Sequence, residues 1–185
     1  MPSAATIAVF CASRRGSNPH FVQTATDLGT LIASQGRTLL YGGSNLGCMG
    51  AVSSAVLQAG GRAVSVIPSF FSQDVIHSQP LSELVVVPSL SARKETFIQQ
   101  ADAFIALPGG IGTLDEILEV MAANQLQRCR KPIALLNVDG FYDPFLRLLQ
   151  HYVSDELLSP ESLHTLLVAQ SPADALHLVD DFLSA

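Results

Sequence analysis

The chain has 185 residues, of which 48% are hydrophobic, and it carries a formal net charge of −6 at pH 7. That length buries a substantial core, and no segment resembles a linker between two cores, so a single domain over residues 1–185 is expected. An acidic chain without a long basic run is not expected to bind nucleic acid by neutralising phosphates, although a few local cations can still hold a mononucleotide.

Short apolar runs rich in β-branched residues alternate with longer amphipathic stretches. This alternation predicts βαβ units, and therefore an α/β fold with a Rossmann-like, doubly wound parallel sheet flanked by helices. In such sheets, ligands bind beyond the carboxyl ends of the strands, where the strand order reverses. The predicted elements are, in chain order, strand 6–11, helix 18–35, strand 38–41, helix 48–59, strands 62–67 and 84–87, helix 91–101, strand 103–107, helix 113–128, strand 132–137, helix 141–151, strand 165–168 and helix 172–183.

The segment 68–83 interrupts this alternation. It contains Pro68 and Pro80 and has weak hydrophobic periodicity. These features predict a loop, and its length makes it a candidate for a mobile flap over a ligand site.

Cysteine usage and the start of the chain indicate a cytoplasmic protein. The three cysteines are odd in number and lack zinc-type spacing, as expected for reduced thiols. The five histidines show no paired-ligand spacing, so no metal site is predicted. The first strand follows no signal-type apolar segment and no apolar run reaches membrane-spanning length, so no membrane contact is expected.

The segment Leu107–Glu116, with the sequence LPGGIGTLDE, carries the strongest functional signal. It joins a buried strand to an amphipathic helix through a glycine turn. Glycines let the backbone approach an anion closely, and the helix start supplies unpaired N–H groups with a favourable dipole. The residues expected to hold a phosphate here are Gly109, Gly110, Gly112 and Thr113.

Two acids follow this glycine turn directly. Asp115 and Glu116 suit a helix N-terminus but would repel a phosphate, so at least one of them is expected to face another part of the ligand. The simpler alternative is a glycine turn that Thr113 caps, with both acids complementing the helix dipole. A second glycine loop and an Arg-Lys pair elsewhere in the chain favour the ligand site.

That second loop, 41–50, reads YGGSNLGCMG and again lies between a strand and a helix. A dinucleotide site would want an acid at the end of the next strand, which ends instead in Pro68-Ser69. The Gly-Lys-Ser/Thr ending of a P-loop is also missing. These missing features count against a binding site for NAD or for ATP, and no cofactor is predicted.

The Arg-Lys pair is Arg93-Lys94, at the start of the helix that follows the fourth strand. Alone, such a pair is usually a solvated helix turn. Together with the two glycine loops it resembles the LONELY GUY family, the cytokinin-activating phosphoribohydrolases that are often labelled lysine decarboxylases. The segments that carry the resemblance, in the expected order, are Val9–Ser13, Gly42–Gly50, Arg93-Lys94, Pro108–Glu116 and Lys131–Tyr142.

The resemblance implies hydrolysis of the N-glycosidic bond of an N6-substituted adenosine 5′-monophosphate, which releases the free base and ribose 5-phosphate. It assigns catalysis to Arg93 and Glu116, and it implies a homodimer. From the residues, Glu116 is assigned to the ribose, Arg93 to either the phosphate or the departing purine, and Asp115 to a scaffold or cap. The full set expected to bind the substrate is Ser13, Gly43, Arg93, Lys94, Gly109, Gly110, Gly112, Thr113 and Glu116.

The chain departs from the family pattern at several positions. The usual Cys-Gly-Ser-Ser is Cys11-Ala12-Ser13-Arg14, a methionine three residues before the arginine is Leu90, and the first of two glutamates is Asp115. A less selective nucleoside-monophosphate nucleosidase and a non-catalytic nucleotide-binding protein therefore stay open as alternatives. Lysine decarboxylation has little support, because it would need pyridoxal phosphate on one of only two lysines.

Overall fold

The computed structural model describes residues 5–71 and 82–185. Its centre is a seven-stranded sheet in which every neighbouring pair of strands is parallel, in the order β4-β3-β2-β1-β5-β6-β7. The sheet confirms the predicted α/β, Rossmann-like fold. The strands are β1 (Thr6–Phe10), β2 (Thr38–Tyr41), β3 (Arg62–Pro68), β4 (Glu83–Val87), β5 (Ala103–Ala106), β6 (Ile133–Leu136) and β7 (Leu166–Ala169).

The described residues contain six α-helices, of which five connect strands and the last follows β7. Several begin where a side chain caps free backbone N–H groups: Asn18 accepts from the backbone N–H of His20, and Ser171 accepts from that of Asp174. The helices are α1 (Pro19–Ser34), α2 (Gly47–Gln58), α3 (Leu90–Gln100), α4 (Ile111–Gln125), α5 (Asp143–Ser154) and α6 (Pro172–Ser184).

The helices cover both faces of the sheet because side chains alternate along each strand. In β1, Ile7 and Val9 pack with α1, α2 and α6, whereas Ala8 and Phe10 pack with α3, α4 and α5. The strands are therefore apolar on both sides, which explains their continuous hydrophobic runs. Two packed layers of helix on one central sheet make the doubly wound arrangement.

Two helices differ from their predicted bounds by two or three residues, whereas the others agree to within one residue. Helix α4 begins at Ile111 rather than at 113, since Gly110 takes the N-cap position without any capping side chain. Helix α5 begins at Asp143 rather than at 141, because a 3₁₀ turn over Val138–Gly140 precedes it and holds Asp139 at a φ of 50°. The sequence pattern predicted a turn before each of these two helices, but not the residue at which the turn ends and the helix begins.

The predicted loop 68–83 is shorter at both ends, because Pro68 ends β3 and Glu83 begins β4. The middle of the predicted flap, 72–81, lies outside the described residues. Within the described ranges, no helix combines the length and the apolar character that crossing a bilayer requires.

The strand order reverses between β1 and β5, since the chain runs outward to β4 on one side and then to β7 on the other. The loop after β1 and the loop after β5 therefore open beside each other at the carboxyl edge of the sheet. The latter is the glycine turn of the LPGGIGT segment. The fold thus brings Ser13, in the loop after β1, to the same edge of the sheet as this turn.

Candidate active site

A cavity of about 360 Å³ lies at this carboxyl edge. Its size falls within the range of small-molecule sites in proteins. Seven of the nine residues predicted to bind substrate line it, and Gly43 and Lys94 do not. The lining residues are Cys11, Ala12, Ser13, Arg14, Gly16, Phe21, Cys48, Met49, Arg93, Pro108, Gly109, Gly110, Gly112, Thr113, Glu116 and Phe141.

The glycine turn forms one wall of the cavity, and its glycines serve two different purposes. A Cβ at Gly109 would collide with the side chain of Thr113, so close packing requires a glycine there. A Cβ at Gly110 or Gly112 would meet no heavy atom within 4 Å, and neither residue has a positive φ. The fold itself does not demand glycine at these two positions, which leaves open space beside the N-terminus of α4.

Thr113 is buried in the first turn of α4 and lines the cavity. It does not cap the helix, since the N-cap is Gly110 and no side chain accepts from the first turn. The alternative in which Thr113 serves only as a cap is therefore wrong. The unpaired N–H groups of the first turn remain available to an anion in the cavity.

Arg93 and Glu116, which both line the cavity, form an ion pair. An Nη2 atom of Arg93, in α3, donates to Oε1 of Glu116, in α4, at 2.7 Å. The Glu116 side chain is 3% exposed and that of Arg93 is 12% exposed. The structure thus brings the two predicted catalytic residues, 23 positions apart in sequence, into direct contact.

Burial changes the acidity of Glu116. Loss of water around the carboxylate raises the pKa of Glu116 to about 7, against the opposing attraction of the Arg93 guanidinium. A carboxyl group with a pKa near neutrality can exchange a proton at the working pH of most enzymes. Glu116 is therefore suited to acid–base chemistry, whereas the Arg93 guanidinium acts as a hydrogen-bond donor.

The Arg93 guanidinium has hydrogen-bonding capacity left over. Its Nε is buried and finds no hydrogen-bond partner within residues 5–71 and 82–185. The guanidinium also lies 5.8 Å from the centre of the Phe97 ring. Arg93 is thus held in place while it can still donate to a ligand.

Lys94, although adjacent to Arg93, lines neither this cavity nor the second one described below. Its Nζ lies 3.0 Å from Oδ1 of Asp115 and 2.9 Å from Oε2 of Glu119. These contacts raise the pKa of Lys94 and tie α3 to α4. The structure therefore does not bring Lys94 to the predicted substrate site, and Asp115 is part of a link between helices.

A second cavity of about 220 Å³ adjoins the first and shares Ser13, Met49 and Arg93 with it. Gly43 lies here, at a φ of 86°, where any side chain would collide with Ser65 and Ile67. Its other lining residues are mostly apolar: Gly42, Ser44, Leu46, Ile67 and Phe71. Arg93 thus stands at the junction of two cavities.

The cavity also contains residues that the sequence interpretation did not assign to the site. Phe21 and Phe141 line it with their rings 5.4 Å apart at an interplanar angle of 79°. Cys11 and Cys48 line it as buried thiols, and burial raises the pKa of both. Small size and burial account for cysteine at these two positions. A contact between Phe21 and Phe141 joins distant segments, so the local sequence held no signal for it.

A buried network supports the glycine turn from behind. The Tyr142 hydroxyl donates to the Leu107 carbonyl at 2.7 Å, directly before Pro108. The Asn137 side chain accepts from the Tyr142 backbone N–H at 2.8 Å and donates to Asp143 at 2.8 Å. The loop after β6 thereby fixes the start of the turn that lines the cavity.

Within the described ranges, no group of three or more His, Cys, Asp or Glu side chains is placed to hold a metal ion. The charged residues that line the first cavity are Arg14, Arg93 and Glu116. The cavity therefore provides one carboxyl group, two guanidinium groups and backbone N–H donors for contact with a ligand.

A family model described as "Possible lysine decarboxylase" matches residues 49–179. Curated relatives have a more specific name. The cytokinin riboside 5′-monophosphate phosphoribohydrolase LOG of Oryza sativa subsp. japonica is 37% identical over 176 residues, which are 95% of this chain and 73% of the relative. LOG1 of Arabidopsis thaliana, with the same enzyme name, is 36% identical over 95% of this chain and 83% of its own length.

Solved structures share the fold. The molybdenum cofactor carrier protein of Chlamydomonas reinhardtii matches with a TM-score of 0.72 at 23% identity, over 98% of this chain and 99% of that one. The molybdenum cofactor binding protein of Rippkaea orientalis matches with a TM-score of 0.71 at 26% identity, over 99% of both chains. Together with the family model and the curated relatives, the observations identify the chain as a member of the LONELY GUY family of cytokinin riboside 5′-monophosphate phosphoribohydrolases.

Proposed function

We propose that this protein hydrolyses the N-glycosidic bond of N6-substituted adenosine 5′-monophosphates, releasing the free base and ribose 5-phosphate. The observation that carries the proposal is the buried Arg93–Glu116 pair, in the same cavity as the glycine turn at the start of α4. The names of the relatives support the same substrate class.

In the proposed reaction, the bond between C1′ of the ribose and N9 of the purine breaks as positive charge develops on the sugar. The Glu116 carboxylate stabilises that charge and accepts a proton from the water that attacks C1′. The purine leaves with the electron pair of the broken bond and takes up the proton that Glu116 accepted from the water. A pKa of about 7 suits Glu116 to this role, since the group can accept and return a proton near neutral pH.

Arg93 is assigned to the departing purine. It lies where the two cavities meet, so a nucleotide with its phosphate against Gly109–Thr113 would direct its base toward the second cavity. A guanidinium group that stays protonated can donate hydrogen bonds to the leaving base and stabilise its negative charge.

The phosphate is assigned to the open space beside Gly110 and Gly112. Backbone N–H groups at the start of α4 and the helix dipole favour an anion there. Binding a phosphate that does not itself react would hold the scissile bond next to Glu116. This assignment predicts that a dephosphorylated riboside is a poor substrate.

The second cavity supports a preference for an apolar N6 substituent. Leu46, Ile67 and Phe71 line it, and burial of a hydrocarbon group against them would favour binding. A general nucleosidase has no need of such a surface. The test is to incubate the purified protein separately with isopentenyladenosine monophosphate, AMP and isopentenyladenosine, and to follow the released base by chromatography.

Release mainly from isopentenyladenosine monophosphate is the expected result. Equal release from AMP would favour the general nucleosidase. If AMP bound and none of the three compounds released a base, the non-catalytic binding protein would be the better description.

Lysine decarboxylation does not fit the residues present. The sequence contains two lysines, and pyridoxal phosphate would need one of them free in a cavity. Lys94 is paired with two acids, and the Nζ of Lys131 donates to the carbonyl groups of Ile98 and Ala101, each at 2.7 Å. Neither lysine lines either cavity.

We also propose that two copies of the chain associate through the outer face of α4. The side chains of Ile111 and Leu118 on this helix are 83% and 44% exposed, and that of Leu126, directly after the helix, is 71% exposed. Burial of such a surface favours association. Light scattering after size-exclusion chromatography should give a dimer for the wild type and a monomer for Leu118→Glu, whereas a monomeric wild type would contradict the proposal.

A further inference from the structure

The charges in the first cavity do not balance. Arg93 and Glu116 neutralise each other in their ion pair, and Arg14 is the remaining charged residue of the lining. Arg14 forms no ion pair within the described part of the chain, and its side chain is exposed to solvent. The cavity therefore carries a net positive charge in a chain whose overall charge is −6.

The backbone of Arg14 is firmly placed. A Cβ at Gly47 would collide with the backbone of Ser13 and Arg14, and Gly47 has a φ of 59°. A hydrogen bond joins the same two segments, since the backbone N–H of Met49 donates to the Ala12 carbonyl at 3.1 Å. The loop after β1 is thus packed tightly against the start of α2, while the Arg14 side chain stays free to reach a ligand.

Arg14 also shares the cavity with the glycine turn, since both line it. The turn offers an anion backbone N–H groups, a helix dipole and the Thr113 hydroxyl, none of which carries a full charge. A guanidinium group adds a full charge and paired donors that match the geometry of phosphate. The chain supplies that charge at a position where the LONELY GUY pattern has a serine.

We propose that Arg14 is a phosphate-binding residue that this chain adds to the site, and that it sets the preference for 5′-phosphorylated over dephosphorylated ligands. The inference rests on the proposed function only for the position of the phosphate against the glycine turn. The ligand class is a sugar 5-phosphate or nucleoside 5′-monophosphate, with the dianionic phosphate between Arg14 and the start of α4.

The adjacent residue supplies a matched control. Arg15 is also an exposed arginine, but it does not line either cavity. Replacing either residue by serine removes one positive charge from the same loop. A difference between Arg14→Ser and Arg15→Ser therefore reports on contact with the ligand, because long-range attraction would change similarly in both variants.

Titration calorimetry with ribose 5-phosphate, ribose and AMP tests the inference on the wild type and both variants. Arg14→Ser should weaken binding of ribose 5-phosphate and of AMP by about tenfold, equivalent to about 1.4 kcal/mol, while Arg15→Ser should change it by less than about twofold. With isopentenyladenosine monophosphate, Arg14→Ser should raise KM and leave kcat nearly unchanged, since the phosphate does not react.

Equal losses in the two variants, or no loss in Arg14→Ser, would overturn the assignment of Arg14. A wild type that binds no ribose 5-phosphate would overturn both this inference and the position of the phosphate. A wild type that binds ribose 5-phosphate through Arg14 but releases no base would contradict the proposed reaction and support the role of Arg14. Unchanged circular dichroism and melting temperature of Arg14→Ser should accompany the binding data, as expected for an exposed side chain.

Discussion

The Arg93 guanidinium and the Glu116 carboxylate are in contact at 2.7 Å, although they lie on different helices. Removing water from two charged groups is costly, and a buried pair is not by itself a source of stability. The position of this pair in the lining of an open cavity therefore supports the chemical role proposed for it.

The first prediction concerns the two neighbouring acids. Glu116→Gln should reduce kcat for isopentenyladenosine monophosphate by about a hundredfold or more, because the amide can neither accept a proton nor stabilise positive charge. Asp115→Asn is the matched control, since Asp115 is exposed and contacts Lys94. It should reduce kcat by less than about threefold, within the small effect of an exposed ion pair. Similar losses in both variants would mean that their roles have been divided incorrectly.

The second prediction concerns pH. Burial raises the pKa of Glu116 to about 7, so activity that needs the carboxylate should fall below neutral pH and level off above it. Arg93 opposes this rise, so Arg93→Met should move the acidic limb of the residual activity to higher pH. Rate measurements from pH 5 to pH 9 would check both statements. An acidic limb near the ordinary carboxyl pKa of 4.5 would contradict them.

The same shift has a consequence for stability. A carboxyl group whose pKa is higher in the folded state contributes most at low pH, and its contribution is lost as the pH rises from 4.5 to about 7. Glu116→Gln removes this titration. The free energy of unfolding of the variant, measured by urea denaturation, should therefore fall less across this interval than that of the wild type. Parallel curves would contradict the shift.

The third prediction concerns the open space beside α4. Gly112→Ala should raise the free energy of unfolding by up to about 1 kcal/mol, because alanine favours a helix and meets no atom there. It should also weaken binding of ribose 5-phosphate, since the added methyl group would occupy the proposed phosphate position. Gly29→Ala gives the opposite pattern, as its Cβ would collide with the Val52 carbonyl and lower stability. Calorimetry and urea denaturation of both variants would test the contrast; tight phosphate binding by Gly112→Ala would contradict it.

The fourth prediction concerns the support behind the glycine turn. Tyr142→Phe leaves the Leu107 carbonyl without its donor, so the free energy of unfolding should fall by about 1–3 kcal/mol and KM should rise. Tyr152→Phe removes a hydroxyl from the exposed side of α5 and should change neither quantity measurably. Identical results for the two tyrosines would show that the buried hydrogen bond does not position the turn.

The fifth prediction concerns Lys94. Because its ammonium group contacts Asp115 and Glu119, Lys94→Gln should cost at most about 1 kcal/mol of stability and leave binding of ribose 5-phosphate unchanged. A tenfold loss of ribose 5-phosphate binding in Lys94→Gln would show that Lys94 does belong to the substrate site.

The fold was predictable because most strands are short apolar runs and most connections are amphipathic, with 68–83 as the exception. The exact start of α4 was not, since Gly110 provides no capping side chain and Thr113 is a stronger local signal. The motifs singled out the glycine turn, Arg93 and Glu116, and the structure places all of them in the lining of one cavity.

Partners that depend on tertiary packing were not predictable. Lys94 lies one residue from Arg93, but the helix turns its ammonium group toward α4 and away from the cavity. The Phe21 ring packs against the Phe141 ring, and the Tyr142 hydroxyl donates to the Leu107 carbonyl. Each contact joins elements that are far apart in sequence. Nothing in the local pattern of either segment specifies such a contact.

The most direct test of the central claim is to quantify both products from isopentenyladenosine monophosphate, with the wild type and with Glu116→Gln. We predict that the wild type releases isopentenyladenine and ribose 5-phosphate in equal amounts, and that Glu116→Gln binds AMP but releases about a hundredfold less of each per unit time. Wild-type turnover that Glu116→Gln retains, or release of base without ribose 5-phosphate, would contradict hydrolysis at the Arg93–Glu116 pair.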